Sequence, residues 1–144
     1  MASTPDAIAR QWFKEVWDEG HEEAIDRLAH DELLVHGLAG PGAPPMRGTA
    51  AFKTVFHTFR EALGDLEIAV ERSVTEGDTC AVYCRVTGRH IGHALGGAPT
   101  GNPVEFTGTT ICRVRDGRIV EAWNCFDFLT MYQQIGWVSD PPLP

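Results

Sequence analysis

The feature that most constrains this chain is the segment "VEFTGTTICRVRDGRIVEAWNCF", residues 104 to 126. Two runs of alternating side chains flank Asp116-Gly117, a dipeptide suited to a two-residue hairpin turn. The chain must therefore build an antiparallel sheet here. In the first run Val104, Phe106, Gly108, Thr110 and Cys112 share one face, and Glu105, Thr107, Thr109, Ile111 and Arg113 share the other. In the second, Val120, Ala122, Asn124 and Phe126 form the more apolar face, opposite Ile119, Glu121, Trp123 and Cys125. The apolar faces are expected to be covered by helices. Counting outward from the turn pairs Arg115 with Arg118, then Cys112 with Glu121. Thr110 falls opposite Trp123 or Asn124, and a slip of one residue would turn a strand over.

The rest of the chain supplies that cover. Ile8, Trp12, Phe13, Val16 and Trp17 fit one helix face, capped by Thr4 or Ser3 with Pro5 in the first turn and stopped at Gly20. A short helix is expected over residues 21 to 28, then an extended segment, "ELLVHG", and a Gly/Pro-rich loop. From Thr49 to Leu63, Phe52, Val55, Phe56, Phe59 and Leu63 form one apolar stripe. After Gly64 the period changes to two: Leu66, Ile68 and Val70 alternate with Glu67, Ala69 and Glu71. A turn at Gly77-Asp78 leads to a strand, "CAVYCRVTGRH". The stretch "IGHALGGAPTGNP", residues 91 to 103, is too long for a hairpin turn and reads as a loop bordering a site. A helix over Phe128 to Ile135 follows the last strand, and the tail "VSDPPLP" is expected to be extended or frayed. Helices first and strands after give one α+β domain spanning residues 1 to 144, a curved antiparallel sheet with helices on one face.

The formal net charge of −8 argues against nucleic acid and anionic membrane surfaces as partners. No run of about 18 apolar residues exists to span a membrane, and no signal peptide is read at the N-terminus, so a cytoplasmic protein is expected. Cys80, Cys84, Cys112 and Cys125 all fall in strands without ligand spacing and are expected to be reduced and buried. His90 and His93 have no third ligand nearby, so no metal is expected. No cofactor motif occurs.

Three residues are candidates for chemistry. Asn124, an amide on the apolar face, is either a hydrogen-bonded core asparagine or a hydrogen-bond partner for a substrate carbonyl. Asp127 stands where a helix cap belongs, or acts as a general base with a raised pKa. His36, beside the Gly/Pro-rich loop, is either structural or a proton carrier. Thr110 is polar on the same apolar face as Asn124 and is expected beside it. Phe52, Phe56, Phe106, Phe126 and Trp12 are expected around them, enclosing a cavity of a few hundred Å³, the usual size of a small-molecule site.

The helix "RGTAAFKTVFHTFREALGDLEI", the segment "GRHIGHALGGAPTGNPVEFTG" and the closing "RVRDGRIVEAWNCFDFLTMYQQIG" resemble the SnoaL-like polyketide cyclases, or ester cyclases. The resemblance implies a cone-shaped α+β fold shared with nuclear transport factor 2 and ketosteroid isomerase. It also implies cofactor-free ring closure by intramolecular aldol condensation, with an aspartate of the last strand as base. Aligning "DGRIVEAWNCFD" with the family motif puts that aspartate's position at Asn124, and Asp127 at a second family aspartate. The expected function is therefore a cofactor-independent enzyme moving a proton on an apolar, carbonyl-bearing small molecule. The alternative is a non-catalytic binding protein for a small hydrophobic molecule. A homodimer through the outer sheet face, carrying Tyr83, Arg85, Thr87, Thr109, Ile111 and Trp123, is expected in either case.

Overall fold

A computed structural model describes residues 3 to 40 and 42 to 139. Thr4 caps α1 (Pro5–Trp12) by accepting from the Ala7 amide at 3.1 Å, with Pro5 preset for the first turn. The helix continues as a wider π-helical segment, Phe13–Asp18, where an uninterrupted α-helix was expected. The wider turn brings Phe13, Val16 and Trp17 inward together with Trp12. Gly20, at φ +75°, ends it. Next come α2 (Glu23–Leu28), β1 (Ala29–His36), the two-residue β2 (Met46–Arg47) and α3 (Thr49–Ala62). The long strands follow: β3 (Leu63–Glu76), β4 (Thr79–His90), β5 (Pro103–Arg115) and β6 (Arg118–Phe126), then α4 (Phe128–Gln134).

The six strands form one curved sheet in the order β2-β1-β6-β5-β4-β3. Every pairing is antiparallel except β1 with β6, which run parallel because α3 and the three following strands intervene. The helices cover the concave face, and β5 alternates strictly, with Val104, Phe106, Thr110, Cys112 and Val114 buried.

The β5–β6 hairpin turns on Asp116 (φ 52°) and Gly117 (φ 74°) and does pair Arg115 with Arg118. A bulge then intervenes: Val114 faces Ile119, but Arg113 faces Glu121, leaving Val120 unpaired. Two expectations change as a result. Cys112 pairs with Ala122, not Glu121, and Ile119 rather than Val120 occupies the inner face. Beyond the bulge the expected faces hold, and Thr110 is opposite Asn124.

Three cysteines are buried as expected, but Cys125 is exposed because its strand parity sends it to the uncovered face. Residues 91 to 102 form an irregular loop tied down at both sides. The Glu61 carboxylate accepts from the His93 and Ala94 amides, and buried His90 accepts the Thr100 amide on Nδ1 at 3.2 Å. Of the expected frayed tail, residues 140 to 144 lie outside the described residues. Among the described residues no helix is long and apolar enough to cross a membrane.

Candidate active site

Between the sheet and the helices lies a cavity of about 60 Å³. That is smaller than the few hundred Å³ expected, because large aromatic side chains fill the volume between sheet and helices. The π-helical segment and α1 contribute Trp12, Phe13 and Trp17; α3 contributes Phe52 and Phe59. The sheet supplies Phe106 and Phe126, and α4 supplies Phe128. Phe59, Phe126 and Phe128 are only half-buried, with Phe128 stacked on Phe59 at 5.4 Å and on Phe126 at 6.1 Å.

One polar cluster interrupts this wall. The Asp127 amide donates to the Thr107 carbonyl at 2.9 Å, which makes Thr107/Asp127 a hydrogen-bonded pair of the hairpin. By alternation Thr110/Asn124 is a non-hydrogen-bonded pair, the geometry with the closest side chains. The Thr110 hydroxyl accordingly donates to Asn124 Oδ1 at 2.8 Å. On its other side Asn124 Nδ2 donates to the His36 backbone carbonyl at 3.0 Å, across the parallel β1–β6 seam. A carbonyl can only accept, so the amide orientation is fixed: nitrogen toward His36, oxygen toward Thr110. Thr110 is 2% exposed. Close by, Gly37 at φ +88° lets β1 run against the Asn124 backbone, where a Cβ would lie 2.0 Å from the carbonyl oxygen.

The cavity wall carries no charge among the described residues. Its one titratable side chain is Cys112, whose thiol is pushed up to about 12 by burial and stays neutral.

Of the residues singled out from the sequence, Asn124, Thr110, Phe52, Phe106, Phe126 and Trp12 meet at this cavity. Phe56 does not: it is buried one turn along α3, packed on Trp17 at 5.8 Å. His36 reaches the cluster only through its carbonyl. Its ring lies on the outer face, parallel to Trp123 at 5.3 Å, with Nε2 2.8 Å from Glu121 Oε2. The Glu121 carboxyl is held below its ordinary value by that bond to His36, and by Arg113 at 3.2 Å. Asp127 is exposed and caps α4, accepting from the Thr130 amide at 3.0 Å and hydroxyl at 2.6 Å. Those bonds lower its pKa rather than raise it. Sequence reasoning missed Phe13, Trp17, Phe59 and Phe128 as wall residues. Phe13, Trp17 and Phe59 were legible as apolar helix positions, but nothing in a stripe tells a wall from a core.

A curved sheet closed by helices over an aromatic cavity with one buried polar cluster is the architecture of the SnoaL/nuclear transport factor 2-like fold. The chain belongs to the SnoaL-like polyketide cyclase family, whose pattern matches residues 7–135. It is 28% identical to the aklanonic acid methyl ester cyclase DauD of Streptomyces sp. (strain C5), over 78% of each chain. The structure of wild-type IdmH from Streptomyces antibioticus, a candidate polyketide cyclase, superposes with a TM-score of 0.80 at 31% identity, covering 93% of this chain and 99% of that one. A SnoaL-like protein from Jannaschia sp. CCS1 shares the fold at 24% identity and a TM-score of 0.82, covering 96% and 93%. Family membership supports a cyclase-type function.

Proposed function

We propose that this protein is a cofactor-independent, cyclase-type enzyme that folds an apolar, carbonyl-bearing molecule for ring closure and polarises its accepting carbonyl. The observation that carries the reading is the Thr110–Asn124–His36 carbonyl chain, one polar cluster in an aromatic cavity. The second Nδ2 proton of Asn124 is free of those bonds and points the site toward a carbonyl oxygen. Such a donor, fixed before the substrate arrives, stabilises the alkoxide that develops as the new carbon–carbon bond forms. The aromatic walls hold the two reacting carbons together, which removes most of the entropic barrier to closure. Proton removal by His36 or Asp127 has no support in the geometry, since one ring faces outward and the other carboxylate caps a helix. In this reading solvent takes the proton from the nucleophilic carbon and returns one to the new alkoxide, so the ring closure needs no net proton from a side chain.

The absence of any charged group on the described wall favours a second reading, a binding protein that holds such a molecule without turnover. Incubation with aklanonic acid methyl ester separates them. Ring closure above the buffer rate, reduced about 10²–10³-fold in Asn124→Ala, supports the enzyme. Saturable binding without product supports the carrier. No binding at all would overturn both. A ligand of several fused rings requires the half-buried Phe59, Phe126 and Phe128 to swing aside, so binding is expected to be slow relative to diffusion.

A further inference from the structure

The inner face of β5 has one gap, Gly108, between Phe106 and Thr110. Its φ lies outside the left-handed region, so the backbone does not demand a glycine. What the position lacks is a side chain, and Phe126 of β6 uses the space. The two residues are cross-strand partners. Because Thr107/Asp127 is a hydrogen-bonded pair, Gly108/Phe126 is of the closer, non-hydrogen-bonded kind. A Cβ on Gly108 would overlap Cγ and Cδ1 of Phe126 and lie 2.6 Å from Cε1. Cγ moves only by rotation about the Cα–Cβ bond, so the ring could clear that methyl only by leaving its rotamer. Across the sheet the same row continues to Cys84 of β4, which is buried and small. The ring thus reclines on the sheet over a missing side chain, with a small one beyond. Thr110 and Asn124 form the adjoining inward pair, and Phe128 stacks on Phe126 at 6.1 Å. Where the Phe126 ring rests therefore fixes the width left between the polar pair and the rim.

We propose that Gly108 is a specificity-determining position: the space it leaves lets Phe126 lie back on the sheet and admits ligands more than one ring wide. With any side chain at 108 the ring stands up toward Phe128, and only narrow ligands fit. This role rests on the cavity being the ligand site. The movement of Phe126 that a fused-ring ligand requires is then a slide further over Gly108 toward Cys84.

The test compares Gly108→Ala, Phe126→Ala and the double variant with wild type, using acetophenone as the narrow probe and 2-acetylanthracene as the wide one. Gly108→Ala is expected to weaken 2-acetylanthracene about tenfold, the usual size of an overpacking effect, and to leave acetophenone nearly unchanged. In the Phe126→Ala background the same substitution is expected to do nothing to this ratio, because the ring it displaces is gone. Stability supplies a readout that needs no ligand. Alanine for glycine at an ordinary extended position stabilises, since the unfolded chain loses freedom. Gly108→Ala is therefore expected to lower the melting temperature of wild type and to raise that of Phe126→Ala. Equal losses for both probes, or the same loss with and without the ring, overturns the specificity role. Phe126→Ala carries the width readout even where Gly108→Ala alone does not fold: its relative affinity for the wide probe is expected to hold or rise, and a fall overturns the role. Wild type binding neither probe overturns the cavity reading and the specificity role with it, while the sign change in stability still reports whether Phe126 occupies the space at Gly108.

Discussion

At the level of single residues, position 124 is built for an amide. One side requires a donor, the His36 carbonyl at 3.0 Å, and the other an acceptor, for the Thr110 hydroxyl. Asparagine provides both while uncharged. An aspartate there would set a carboxylate oxygen against a carbonyl oxygen inside an apolar wall, so it would hold its proton and use it as the missing donor. Asn124→Asp is therefore expected to carry a carboxyl whose folded pKa lies above the ordinary value of about 3.9. The sign follows by linkage. Relative to wild type, the variant keeps its stability below about pH 3.9 and loses it as pH rises toward the folded pKa, because the folded state binds the proton more tightly. Melting curves of variant and wild type from pH 4 to 8 should diverge upward in pH; parallel curves would show that the carboxylate is accommodated. Any cyclase activity gained through this carboxylate is expected to appear only on the alkaline side of the same transition. Thr110→Val leaves Asn124 Oδ1 without its protein donor and is expected to cost about 1–3 kcal/mol in urea unfolding.

At the level of elements, what was legible depended on whether the determinant was local. The hairpin at Asp116-Gly117 and the alternation of β5 could be read because turn chemistry and period two are local. The bulge at Val120 could not, since nothing in "RIVEA" announces an unpaired residue; it is stabilised by placing both Ile119 and Ala122 on the inner face. The π-helical turn was hidden for a similar reason. Trp12, Phe13, Val16 and Trp17 suit an α-helix stripe almost as well, and the packing of Trp17 on Phe52, Phe56 and Phe59 is what rewards the wider turn. The place of the His36 ring could not be read because its strand joins β6 in parallel, a pairing that sequence separation hides, and the register puts the ring outside beside Trp123. Asp127 was readable as a cap, and that role carries a prediction. Asp127→Ala should destabilise the protein by about 1 kcal/mol, and Asp127→Asn by less, because asparagine caps nearly as well. The cap also fixes Phe128 at the cavity rim, so in Asp127→Ala ligand association is expected to quicken as α4 loosens. Equal association rates in stopped-flow mixing would separate the cap from the rim.

For the whole molecule, the decisive asymmetry is a sheet with one face covered and the other bare. The bare face is not an ordinary polar surface: Tyr83, Ile111 and Trp123 are 38%, 39% and 38% exposed, and Ile111 and Trp123 are cross-strand neighbours. Around them run paired charges, Arg85 with Glu71 at 2.9 Å and Arg113 with Glu121 at 3.2 Å. Apolar centre and balanced charged surround are what a self-complementary two-fold contact requires, since each patch must meet its own copy. We expect a homodimer through this face. Light scattering at micromolar concentration should give twice the 15.8 kDa chain mass, and a monomer mass would dismiss the assignment. Ile111→Glu is the discriminating variant. Its side chain points away from the cavity, so the monomer's core is untouched, but in a two-fold contact it brings two unpaired carboxylates together near the centre. The variant should run as a monomer with binding of aklanonic acid methyl ester retained. If it stays dimeric, the copies meet elsewhere, and the exposed aromatics of the sheet serve some other contact.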